Sequence, residues 1–125
     1  MNPPRTILAV LAGYLTLIVL GFLGGAILGA ALHGSLGPSA IIGGETVTFV
    51  AAVIAGGVTA RMAPERPVTH AAVLGLTVFS VTAVVTAVSR PIHTPFPHWY
   101  PYASAAIGGI GAFVGGAIAT RSTTA

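Results

Sequence analysis

Residues 6–32, TILAVLAGYLTLIVLGFLGGAILGAAL, run for 27 positions without a charged side chain. A helix rises about 1.5 Å per residue, so about 20 mostly apolar residues cross the roughly 30 Å hydrocarbon layer of a bilayer. This run exceeds that length and accommodates the excess by tilting or projecting. The apolar region of a secretory signal is only about 7 to 15 residues long, so the reading is a retained helix and not a leader.

Three further stretches meet the same test: 39–60, interrupted only by Glu45; 68–89, which holds His70 and several hydroxyls; and 102–120, rich in Gly and Ala. The prolines mark the same divisions, because a helix interior disfavours a residue that lacks an N–H and clashes with the preceding turn. Pro3 and Pro4 precede the first stretch, Pro38 the second, Pro64 and Pro67 the third, and Pro91, Pro95, Pro97 and Pro101 the fourth.

Composition agrees with this division. Of the 125 residues 54% are apolar and 6% charged, with a mean hydropathy of +0.94. A soluble domain carries about 25% charged residues, so this chain has too few to cover a surface facing water. The expected fold is an all-α integral membrane protein: one domain over 1–125, with four transmembrane helices in two antiparallel hairpins. The lipid bilayer is its first partner. The net charge of +3 includes no Lys/Arg cluster of the kind that follows a phosphate backbone, so no nucleic-acid partner is expected. No cysteine is present, which removes disulfides, thiolate metal sites and Cys nucleophiles.

Orientation follows from the arginines, because short cytoplasmic flanks carry the excess of positive charge. Placing both termini inside puts Arg5, Arg61, Arg66 and Arg121 in the cytoplasm and Arg90 outside. That arrangement predicts a multi-pass protein of the cell membrane. The run His98-Trp99-Tyr100-Pro101-Tyr102 then forms an aromatic belt at the external interface. Arg61, Glu65 and Arg66 crowd a cytoplasmic turn, where they set topology and touch anionic head groups.

Helices in lipid associate through small residues that let backbones approach. Gly21, Gly25 and Gly29 recur every four residues in the first span, Ala52, Gly56 and Ala60 in the second, and Ser104, Gly108, Ala112, Gly116 and Thr120 in the fourth. Gly109, Gly111 and Gly115 give the fourth span a second smooth face, so it either sits centrally in the bundle or also meets another chain. A 60-residue offset relates Ala55-Gly56-Gly57-Val58-Thr59-Ala60-Arg61 to Gly115-Gly116-Ala117-Ile118-Ala119-Thr120-Arg121, and His33 to His93, which raises the question of a duplicated hairpin.

Glu45 lies about 9 Å inside the second span, where a carboxylate is costly unless it meets a partner, water or a proton. It shares a helical stripe with Thr48, Ala52, Ala55, Gly56 and Thr59, so it faces the packed side. A structural role would pair it with Arg90. A functional role would use it to bind or relay a cation or proton, with Thr48, Thr59, Thr82 and Thr86 extending a polar track. The hydroxyls of the third span otherwise bond to their own preceding turn. His33, His93 and His98 collect on the external side as a weak metal set lacking regular ligand spacing, and no cofactor is expected. His70 falls near the cytoplasmic interface. The chain carries no phosphate loop, nucleophile elbow or zinc-protease helix, so no enzymatic activity is expected.

In size and span count the chain resembles the small multidrug resistance transporters, but it lacks the carboxylate which that family places in the first span. Phe79-Ser80-Val81-Thr82 is similar in part to the Phe-Ser-Thr-Phe signature of the fluoride channels, whose Asn-bearing second helix is absent. Neither resemblance carries an activity over. The Gly-Gly pattern followed by Arg and Pro, Gly56 to Pro67, resembles that of small bacterial four-helix membrane proteins, which implies a location only. The sequence thus points to a non-enzymatic component that works by helix packing, as a homo-oligomer or a subunit of a membrane complex. The alternative is a minimal ion or proton-coupled transporter or channel centred on Glu45.

Overall fold

The computed structural model describes residues 3–35, 37–63, 65–89 and 96–124, with side chains up to 122. It is all-helical: α1 spans Pro3–Ala31, α2 Pro38–Met62, α3 Pro67–Val88 and α4 Tyr100–Thr124. Each of the four is long and apolar enough to cross a membrane. Each helix begins one to three residues before its expected span; α2 and α4 also run past the expected end, whereas α1 and α3 stop one residue short, and the prolines explain where they begin. Pro3, Pro38, Pro67 and Pro101 occupy first turns, where a missing N–H costs nothing because no carbonyl precedes it. After α1 the chain reverses through His33 and Gly34, both at positive φ (51° and 74°). The Gly34 amide bonds back to the Gly29 carbonyl at 3.1 Å and so closes the helix end.

The core is made of small side chains. Ala9, Ala52, Ala55, Ala71, Ala105 and Ala112 are buried, and Leu74 is the largest fully buried apolar side chain. Large apolar residues point outward instead, among them Phe22 at 77% and Ile27 at 71% exposure. This inversion of a water-soluble interior is what lipid selects: large side chains lose nothing by facing hydrocarbon, whereas small ones let helix backbones touch.

Those contacts fix the register. Along α1 and α2 they run in opposite order, Leu28 against Gly43, Gly24 against Val47, and Gly13 against Ala55 and Thr59. Along α3 and α4 they also run in opposite order, Val78 against Gly108, Gly75 against Gly109, and Ala71 against Gly116. Along α2 and α4 they run in the same order, from Thr48 with Gly108 through Ala52 with Gly111 to Val53 with Gly115. This register brings Arg5, Arg61, Arg66 and Arg121 to one end of the bundle, and Glu45, Trp99 and Tyr100 toward the other.

The fourth helix is central. Gly111, Ala112 and Gly115 face α2, while Gly108, Gly109 and Gly116 face α3, so its two smooth faces are both taken up within the chain. The α1 stripe differs. A Cβ placed at Gly21, Gly25 or Gly29 would meet nothing within 4 Å, and α1 buries only Ala9 and Gly13. The small-residue series of α4 is an internal seam, whereas that of α1 is open.

Candidate functional site

Glu45 occupies the third turn of α2, on the side that meets the start of α4. Ser104 Oγ donates a hydrogen bond of 2.6 Å to Glu45 Oε1. The second carboxylate oxygen, Oε2, is buried and has no hydrogen-bond partner among the described residues. Next to it on α2, Gly44 leaves room for the Tyr100 hydroxyl, which a Cβ at position 44 would strike. Tyr100 stacks on Phe96 with ring centroids 4.9 Å apart and leans on Trp99 at 6.3 Å. The carboxylate therefore has the Ser104 and Tyr100 hydroxyls at its side, Tyr100 being held by Phe96 and Trp99.

Chemically, a carboxylate with one oxygen bonded and the other buried and unpartnered can hold a proton or accept a cation. Thr48 does not extend the cluster: its hydroxyl donates to its own helix at Gly44 O, 3.0 Å away. Thr82 and Thr86 are half-buried on α3, and neither is hydrogen-bonded to Glu45. Arg90 and His93 lie outside the described residues. His33 and His98 are exposed, and among the described residues no three His, Cys, Asp or Glu side chains gather to hold a metal.

Several hydroxyls bond to their own helix, among them Thr77 of the third span. Thr16, Thr46, Thr77 and Thr120 each bond to the carbonyl four residues earlier, at 2.7 to 2.9 Å. Thr59 bonds across helices instead, its buried hydroxyl donating to Ala9 O of α1 at 3.2 Å. His70 makes another polar link to α1. Its Nδ1 lies 2.7 Å from Arg66 O, a group that can only accept, so Nδ1 carries the proton. In the neutral ring Nε2 then accepts from the Thr6 hydroxyl at 2.9 Å.

Sequence reasoning missed Ser104 as the partner of Glu45, having placed it only in a packing series. The bond spans 59 residues and joins two helices, so no local pattern marked it. Comparison with protein-family models, curated proteins and solved structures returns no match for this chain, so the site rests on its geometry.

Proposed function

We propose that this protein is a non-enzymatic membrane component that works by helix packing, as a homo-oligomer or as a subunit of a larger membrane complex. It spans the cell membrane as two antiparallel hairpins with both termini cytoplasmic, the end that carries Arg5, Arg61, Arg66 and Arg121 facing inward. The observation that carries this reading is the unfilled Gly21/Gly25/Gly29 face of α1. The Gly108, Ala112 and Gly116 face of α4 and Gly56 of α2 are met by neighbouring helices, and a glycine series brings helices together only when a second helix lies on it. The absence of cysteine supplies a direct test, since Gly25→Cys gives the chain a single thiol. A photoreactive maleimide at that position cross-links the chain to a second polypeptide in native membranes. The same label at the outward-facing Leu76→Cys leaves it as a single chain.

A second reading is favoured by Oε2 of Glu45, which has no partner among the described residues: a minimal cation or proton-coupled transporter or channel in which this carboxylate binds the moving ion. Flux into proteoliposomes that is lost in Glu45→Gln, with unfolding unchanged, would support it. Equal flux in wild type, Glu45→Gln and empty vesicles would remove it.

A further inference from the structure

Near the end that carries the arginines, α2 and α4 part to leave a groove of about 390 Å³. Its walls are Val53, Ile54, Val58 and Ile118, and its floor is backbone at Gly57 and Gly115. These are the two Gly-Gly segments related by the 60-residue offset, now side by side. A Cβ at Gly57 would lie 3.8 Å from the Gly115 carbonyl oxygen, an ordinary van der Waals contact, so the half-buried Gly57 side of the floor takes added carbon without a clash. The groove runs from Val53 to Arg61, about 12 Å along the helix axis.

Arg61 and Ser122 stand at its mouth. Arg61 occupies the last turn of α2, is exposed, and has no ion-pair partner among the described residues. The comparable groove between α3 and α4, about 430 Å³, is lined by Ala72, Leu76, Phe79, Phe113 and similar apolar groups alone. An apolar trough closed by one guanidinium with no ion-pair partner among the described residues matches a molecule with a hydrocarbon tail and an anionic head.

We propose that this α2/α4 groove binds one anionic phospholipid, its acyl chain against Gly57 and Gly115 and its phosphate on Arg61. The proposal is independent of what covers α1. The test is native mass spectrometry of the purified protein with added phosphatidylglycerol or phosphatidylcholine of identical chains, read on single-chain and assembled species alike. Wild type retains one phosphatidylglycerol per chain in preference to phosphatidylcholine. Arg61→Gln lowers that retention about fivefold, the effect of one interfacial arginine, whereas Arg5→Gln, which removes an equal charge elsewhere, leaves it unchanged. Gly57→Leu fills the trough and abolishes retention of either lipid there.

Equal retention of the two lipids by wild type overturns the proposal without recourse to any variant. So does retention in Arg61→Gln equal to wild type. Binding of free glycerol phosphate as tight as that of the lipid would reduce the site to an adventitious ion only, and would overturn it as well.

Discussion

Gly56 of α2 lies directly against the backbone of Ala112 in α4, so close that a methyl group at position 56 would run into the Ala112 carbonyl oxygen. This is the closest kind of helix approach, backbone to backbone, and it is repeated where Gly115 meets Val53. The α2/α4 seam fixes the same-direction register that places Ser104 on Glu45.

Gly56→Leu is therefore expected to destabilise the bundle by about 3 kcal/mol, because neither helix can yield without breaking the seam. The neighbouring Gly57→Leu should stay within about 0.5 kcal/mol of wild type, since its Cβ finds ordinary space. Reversible unfolding in mixed micelles measures both. Equal effects at the two positions would mean that the register is wrong.

At the candidate site, Ser104→Ala leaves Glu45 Oε1 without its donor and is expected to cost about 1 to 3 kcal/mol. Glu45→Gln keeps an acceptor oxygen for Ser104 while removing the carboxylate, and should fold within about 1 kcal/mol of wild type. The same unfolding measurement on Ser104→Ala, Glu45→Leu and their double variant, a cycle in which each single change removes the bond, gives the coupling between the two residues. A coupling near zero would contradict the bond.

The polar links of α1 are expected to be weak. Thr59→Val removes the bond to Ala9 O and should cost about 0.6 kcal/mol, the usual worth of an interhelical hydrogen bond in a membrane. His70→Phe removes the acceptor for Thr6, so hydrogen exchange should rise in the first turns of α1 and remain unchanged in α4. Exchange that rises across the whole bundle would assign His70 a wider role.

Much of this architecture was legible in the chain. The uncharged run 6–32 and the prolines at 38, 67 and 101 mark the helices, because hydrocarbon length and the missing N–H act locally. The Ala52, Gly56 and Ala60 stripe and the double face of α4 were legible as packing surfaces, since small residues at helical spacing have one physical use in lipid. Which helix each face meets was not legible. Gly21, Gly25 and Gly29 have the same spacing as the α4 series, yet only the folded chain separates a filled face from an open one. Ser104 escaped for a related reason: its bond to Glu45 spans 59 residues and exists only through the α2/α4 register. His70 looked like an interfacial histidine because Thr6, its partner, lies on another helix.

The open α1 face is the centre of the account, and native mass spectrometry of the tagged protein, gently extracted from its own membrane, tests it most directly. Gly25→Leu is the informative comparison, because a side chain there meets nothing within the chain and leaves the bundle intact. Wild type is expected as an assembly larger than one chain, with Gly25→Leu reduced to the single chain at an unchanged unfolding midpoint. A wild type that is itself a single chain, or an assembly that survives Gly25→Leu, would contradict the claim that α1 is the helix this protein offers to a partner.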